Sequence, residues 1–190
     1  MQRVRWGIVS TAKIGTEKVI PAMQKAAYCD IVGIASRDLD KANQAASALG
    51  IPKTYGSYEA LLADPDIDAI YNPLPNHLHV PVSIQALQAG KHVLCEKPMT
   101  IHADEARYLV KAADSNNLHL MVPYGWHYKP FIQEAKTLID EGRLGPIEYA
   151  LCHMASPIRS LLDGRGMMVE DGGGQSGDTL FEPTTATWAD

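Results

Sequence analysis

Three short blocks of the chain carry residue types and spacings that can do chemistry. In the first, Ser10, Ala12 and Gly15 stand where a G-x-G-x-x-G fingerprint has its glycines, directly after the apolar residues Trp6, Ile8 and Val9. Small side chains let a backbone approach a pyrophosphate closely and offer it N–H groups at a helix N-terminus. The block therefore reads as the strand–turn–helix opening of a dinucleotide-binding unit or, with two glycines replaced, as an ordinary strand-to-helix turn. The second block is Ser36-Arg37-Asp38, which follows an apolar run and places Arg37 22 residues after Gly15. At that point of a dinucleotide fold an acid bonds ribose hydroxyls, whereas a hydroxyl and a guanidinium can share a 2′-phosphate. Asp38 reads as a ribose contact or as the N-cap of the next helix. The cap is the preferred reading, so NADP is expected over NAD. The third block, Glu96-Lys97-Pro98, leaves a strand-like run. A lysine projecting from there toward a nicotinamide ring is placed to move a proton, and a surface lysine paired with Glu96 is the plain alternative.

The elements that must position these blocks alternate regularly. Runs at Trp6–Val9, Ile31–Ala35, Ala69–Tyr71, His92–Cys95 and Leu118–Val122 read as strands, with Lys53–Tyr55 as a further short one. Helices are expected over about Ala12–Ala27 (kinked at Pro21), Asp38–Leu49 (stopped by Gly50) and Tyr58–Ala63. A further helix should begin near His79, since Pro81 is tolerated only in a first turn, and run to Ala89 before Gly90. Thr100 can cap another to about Ser115, and one more should cover Pro130–Glu141, ending at Gly142. Six strand–helix alternations with short links predict an α/β fold, a doubly wound parallel-sheet Rossmann domain over residues 1–123. Residues 124–190 hold one helix, one longer strand from Ile147 to Met154 and then Gly-, Ser-, Thr- and Pro-rich sequence. They read as the incomplete start of an α+β substrate domain.

Composition bounds the function. The chain has 190 residues, 46% hydrophobic and 21% charged, with net charge −5 and no long basic run. That argues against nucleic acid as a partner. No apolar stretch approaches the ~20 residues of a membrane span, and the N-terminus lacks a signal-peptide pattern, so no membrane partner is expected and the protein is expected in the cytoplasm. Cys29, Cys95 and Cys152 cannot all pair internally, which fits a reducing compartment. No metal-ligand spacing is present, and no metal is expected.

Taken in order, Trp6-Gly-Ile-Val-Ser-Thr-Ala-Lys-Ile-Gly15, Ser36-Arg-Asp38, Leu74-Pro-Asn-His-Leu-His79 and Ala86-Leu-Gln-Ala-Gly-Lys-His-Val-Leu-Cys-Glu-Lys-Pro98 resemble the Gfo/Idh/MocA oxidoreductases, the group of glucose–fructose oxidoreductase and inositol dehydrogenase. The resemblance covers residues 4–130, and its last block is its most specific part. It implies that Ser10, Thr11, Ala12, Lys13 and Ile14 contact the pyrophosphate, and that Ser36 and Arg37 hold the 2′-phosphate. It places Leu74, Asn76 and His79 on the adenosine and nicotinamide side and Glu96 and Lys97 beside the nicotinamide, with Lys97 catalytic and the Lys97–Pro98 bond cis. Tyr124, His127 and Lys129 are candidates for the substrate side, with packing at the domain junction as the alternative. The implied activity is hydride transfer between NADP (or NAD) and a CH–OH or carbonyl group of a sugar, polyol or related small molecule, in a protein that can form homo-oligomers. A non-catalytic NADP(H)-binding sensor or scaffold is the alternative.

The departure is at the C-terminal end. Family members run to well over 300 residues and place an acid–base group soon after a Gly-Gly-Gly stretch. Here Gly172-Gly-Gly174 precedes Asp178, but no histidine follows His153. Gly172–Asp178 is read as a loop rather than a degraded motif, and Phe181–Asp190 as mid-domain sequence cut short. The chain alone is accordingly expected to bind NADP(H), to be mobile after about Ser156 and to have negligible dehydrogenase activity.

Overall fold

The computed structural model describes residues 2–151. Two compact units divide the chain, Met1–Pro123 and Tyr124–Asp190. In the first, six strands form one sheet: β1 (Val4–Val9), β2 (Cys29–Ala35), β3 (Lys53–Tyr55), β4 (Ala69–Asn72), β5 (His92–Cys95) and β6 (Leu120–Met121). Every paired neighbour is parallel, and the order is β3-β2-β1-β4-β5-β6. This is the doubly wound Rossmann order, with its direction of winding reversing between β1 and β4.

Strand alternation sorts the core into two layers. Ile8, Ile34 and Tyr71 point to one face, where Ile20 of α1 (Ile20–Met23) and Ala46 of α2 (Leu39–Leu49) cover them. Val9, Ala35 and Ile70 point to the other, against α3 (Tyr58–Leu62), α4 (Asn76–Gln88) and α5 (Ala103–Ser115). Both faces are thus buried, which is why Gly7–Val9, Ile31–Ala35 and Ala69–Tyr71 are apolar without interruption rather than alternating with polar residues.

Three helices depart from sequence expectation, each for a physical reason. The first opens at Lys13, passes through a π turn over Gly15–Val19 and ends at Met23, short of Ala27. Ile20 donates five residues back to the Gly15 carbonyl, so the widened turn leads Pro21 into the chain where a kinked α-helix was expected. The fourth, α4, starts at Asn76 instead of near His79 and carries Pro81 in its interior. The Asn72 amide donates to the His79 carbonyl and to Ser83 Oγ, both at 3.1 Å. These buried tertiary bonds help offset the roughly 3 kcal/mol cost of an interior proline. The fifth, α5, begins after His102 rather than Thr100, because the Glu105 carboxylate accepts the N–H groups of Ile101 (3.0 Å) and His102 (3.1 Å).

At the opposite, N-terminal edge of the sheet a charged network ties strand starts together. The Arg5 guanidinium donates to both carboxylate oxygens of Asp68 at 3.0 and 2.7 Å, and Lys53 bonds Asp64 and Asp66 at 2.8 Å. Bonds from Lys53 and Tyr55 hold the Asp64 carboxyl well below the usual carboxylate range. Lys91 is nearly buried, and its ammonium donates to the backbone carbonyls of Asp64 (2.8 Å) and Ile67 (2.7 Å). Burial lowers its pKa, the Asp64 and Asp68 charges opposing. Lys91→Met keeps the stem but leaves two carbonyls without their donor. We expect a loss of about 2 kcal/mol, read as a fall of roughly 5–10 °C in Tm. A Tm within about 1 °C of the parent would show that these bonds contribute nothing net.

The second unit contains a 3-10 turn (Gly125–Tyr128) and α6 (Pro130–Asp140). The strand expected from Ile147 to Met154 is not formed over residues 147–151, which have no ladder partner among the described residues and leave Tyr149 and Leu151 exposed. Cys152, His153, the segment after Ser156, Gly172–Asp178 and Phe181–Asp190 lie outside the described residues.

Candidate functional site

The reversal of winding leaves a crevice beyond the carboxyl ends of β1 and β4. There a cleft of about 320 Å³ is lined by residues including Ser10, Thr11, Ala12, Ser36, Arg37 and Leu74. Ser10 leaves β1 with φ of 130°, a conformation that favours glycine and that the fingerprint's first position supplies. Its hydroxyl compensates locally by accepting the Ala12 N–H at 3.2 Å. Lys13 and Ile14 form the exposed first turn of the following helix, which has no side-chain cap. Gly15 packs beneath, where an added Cβ would lie 3.6 Å from both Pro73 and Tyr71, so this position admits little more than a methyl group.

Beyond β2 the electrostatics separate. Asp38 is the N-cap of α2: its carboxylate accepts from the N–H groups of Asp40 (3.1 Å) and Lys41 (3.3 Å) and lies 3.5 Å from the Lys41 ammonium. The acid that made cofactor choice ambiguous in sequence thus caps its own helix through one oxygen while remaining part of the cleft lining. Ser36 is nearly buried, with its hydroxyl accepting the Asp38 N–H at 3.2 Å. Arg37 is exposed and within hydrogen-bonding reach of the Tyr58 hydroxyl. Burial raises the Tyr58 pKa, with the Arg37 charge opposing.

Sequence reasoning missed Lys41, Tyr58 and Pro75, which share the cleft lining. Two of them had a signal. Lys41 falls one turn after Arg37, and Tyr58 is the first residue after the Ser57 cap that follows β3.

A second cluster forms where β4 and β5 end. Asn72 is fully buried and accepts the Leu74 N–H at 3.3 Å, shaping the turn that carries Leu74 into the cleft wall. Asn76 opens α4 and is half-buried. His79 is buried, with Nε2 2.7 Å from the Leu74 carbonyl and Nδ1 2.7 Å from the Pro98 carbonyl. Its ring thus meets the neighbouring loops through their backbone.

The Glu96 carboxylate accepts the Tyr71 hydroxyl at 2.9 Å and the Lys97 N–H at 3.2 Å. Burial, then the Glu96 charge, raises the Tyr71 pKa and keeps it a donor. Lys97 is exposed, the Lys97–Pro98 bond is cis, and no hydrogen bond or ion pair engages its ammonium among the described residues. The surface pair with Glu96 is therefore not formed. Cys95 lies beneath, its thiol pushed up to about 12 by burial, and is inert as a nucleophile.

Of the residues singled out from sequence, Ser10, Thr11, Ala12, Ser36, Arg37 and Leu74 come together around the cleft. Lys13, Ile14, Asn76, His79, Glu96 and Lys97 lie on the elements that leave β1, β4 and β5. Tyr124, His127 and Lys129 belong to the second unit, around its 3-10 turn, and are exposed there. No cluster of metal-ligating side chains occurs among the described residues.

The family model of the Gfo/Idh/MocA oxidoreductases, with an NAD-binding Rossmann fold, matches residues 4–124. The chain is 44% identical over 134 residues to D-xylose 1-dehydrogenase (NADP(+)) 2 of Haloferax volcanii, covering 70% of this chain and 41% of that protein. It is 37% identical over 171 residues to trans-1,2-dihydrobenzene-1,2-diol dehydrogenase of Xenopus laevis, covering 90% and 51%. Among solved structures it is similar to KijD10, a 3-ketoreductase from Actinomadura kijaniata in complex with TDP-benzene and NADP. That match has a TM-score of 0.70 and 34% identity, over 74% of this chain and 44% of that one. The chain spans about half the length of the curated relatives it matches.

Proposed function

Because the chain belongs to the Gfo/Idh/MocA oxidoreductase family, we propose that it serves NADP-dependent hydride transfer between a nicotinamide and a CH–OH or carbonyl group of a sugar, polyol or related small molecule. One observation carries the cofactor choice. At the end of β2 Ser36, Arg37, Asp38 and Lys41 all line the cleft; two cations face one carboxylate, whose Oδ1 caps its own helix and whose Oδ2 lies 3.5 Å from the Lys41 ammonium. That donor set suits a 2′-phosphate, for which a guanidinium fork and an ammonium supply charge-assisted bonds. The small turn Ser10–Ala12 and the helix opening at Lys13 and Ile14 would hold the pyrophosphate, with Leu74 forming the facing wall.

When bound, the nicotinamide cofactor supplies or takes up the hydride. The chain's own contribution is proton handling and orientation. Lys97 donates a proton to a carbonyl oxygen in reduction, or its amine receives the hydroxyl proton in oxidation. Glu96, fixed by the Tyr71 hydroxyl, holds the backbone N–H of Lys97 and leaves the ammonium to the substrate. Tyr124, His127 and Lys129 are proposed for the substrate side.

The substrate class is supported by the relatives' own names, a D-xylose 1-dehydrogenase, a trans-1,2-dihydrobenzene-1,2-diol dehydrogenase and a 3-ketoreductase. Among the described residues Cys29 and Cys95 are free thiols, which favours a reducing cytoplasm. Incubating the protein with NADP+ or NADPH and a panel of aldoses, ketoses and polyols, and following absorbance at the nicotinamide band, tests the assignment. Turnover with at least one class supports it. Tight NADPH binding with no turnover across the panel, both by this chain and by a hybrid in which residues 4–124 replace the matching segment of a full-length relative, would mark a non-catalytic NADP(H)-binding protein.

A further inference from the structure

β6 is two residues long, lies at the outer edge of the sheet and is the last strand of the first unit, which ends at Pro123. Its backbone pairs with Val93 and Leu94 of β5, and the Val93 N–H donates to the His119 carbonyl at 2.8 Å. One further rung comes from a side chain. The His119 N–H donates to Nδ1 of the His92 ring at 2.9 Å, and the two imidazoles stack with centroids 5.1 Å apart. A backbone N–H can only donate, so Nδ1 of His92 is the unprotonated nitrogen and the ring is neutral. Protonation would set one N–H against another. From this geometry we propose that His92 is an acid-released latch on β6, holding the outer edge of the sheet while neutral and freeing the chain from His119 to Met121 once charged. His92 opens β5, at the end of the sheet opposite the cleft, so the latch does not depend on the NADP reading.

The groups around the ring fix the direction of the response. Burial disfavours the His92 cation and the stacked His119 adds to this, whereas Asp68, just before β4, opposes both. The Asp68 carboxylate is shared with the Arg5 guanidinium, and the neighbouring Lys91 turns its ammonium onto the carbonyls of Asp64 and Ile67. His92 is therefore held below the ordinary histidine value of 6.5. A cation that folding disfavours adds its stability in full above the unfolded value, and that stability is lost as the pH falls through the folded one. The latch is thus closed at neutral pH and opens under acid. The central strands keep ladder partners on both sides, so the loss falls on β6.

Hydrogen exchange followed by NMR on the purified chain tests the latch, with protection corrected for the intrinsic pH dependence of exchange. Between about pH 7.5 and about pH 5 the protection of the His119 amide is expected to fall roughly five- to tenfold, the worth of one hydrogen bond. The amides of Ile8 and Ile70, in the central strands, should stay within about twofold over the same range. His92→Asn places a carbonyl oxygen where Nδ1 stood and cannot titrate, so its His119 amide should hold within about twofold across the range. His92→Leu has no acceptor, and at neutral pH it should show the protection that the parent shows in acid. The asparagine variant carries the test if the leucine variant does not fold. A parent whose His119 protection ignores pH, an asparagine variant as acid-sensitive as the parent, or a loss shared equally by Ile8 and Ile70 would overturn the latch.

Discussion

Lys97→Met is expected to lower sugar- or polyol-dependent turnover by about 10²–10⁴-fold, the usual cost of removing an acid–base group, while the NADPH dissociation constant stays within about threefold of the parent. Methionine keeps the length and apolar stem of lysine but can neither donate nor accept the reacting proton. The split between rate and affinity follows from the structure. The Lys97 ammonium has no hydrogen-bond or ion-pair partner among the described residues, so nothing in the fold depends on it. The chain spans about half the length of its relatives. The variant is therefore assayed both in this chain and in a hybrid where residues 4–124 replace the matching segment of a full-length relative. Turnover equal to the parent's in the hybrid would return Lys97 to an ordinary solvated lysine.

The second large effect is expected at Arg37. Arg37→Ala should weaken NADPH by roughly 10–100-fold, since a charge-assisted hydrogen bond contributes about 1.5–3 kcal/mol, and should leave NADH within about twofold. Because Arg37 is exposed, the parent's preference should also shrink as salt is raised. Lys41→Ala should act in the same direction with a smaller effect, since an ammonium lacks the planar fork of a guanidinium. Equal weakening of both cofactors would point to damage to the loop instead. No change in either would mean that Arg37 is directed away from the ligand.

The central strands and both faces of the sheet were legible in the sequence because Ile31–Ala35, Ala69–Tyr71 and their neighbours are short apolar runs punctuated by turn residues, a local signal that tertiary packing reinforced. Asp38 was legible as a cap for the same reason: a short acid before an amphipathic run satisfies orphan N–H groups whatever surrounds it. The start of α4 was not. The rule that placed it near His79 is local to Pro81, whereas the bonds that stabilise the helix come from Asn72, on a different element. The π turn before Pro21 escaped for a similar reason, since a periodicity of 3.6 cannot announce a single widened turn. At the site, Lys41 and Tyr58 reach the cleft only because α2 and α3 are folded against the ends of β2 and β3. His79 could be picked out by its place in a motif, but nothing in the sequence says that its two nitrogens meet carbonyls from separate loops.

We propose that the crevice between β1 and β4 is an NADP(H) site whose selectivity lies at the end of β2. Nicotinamide fluorescence titration of the purified protein with NADPH and NADH under identical low-salt conditions tests it most directly. The arrangement of Ser36, Arg37 and Lys41 with Asp38 turned into its own helix cap predicts that NADPH binds at least about tenfold more tightly than NADH. Equal affinities, tighter binding of NADH, or binding of neither would contradict it.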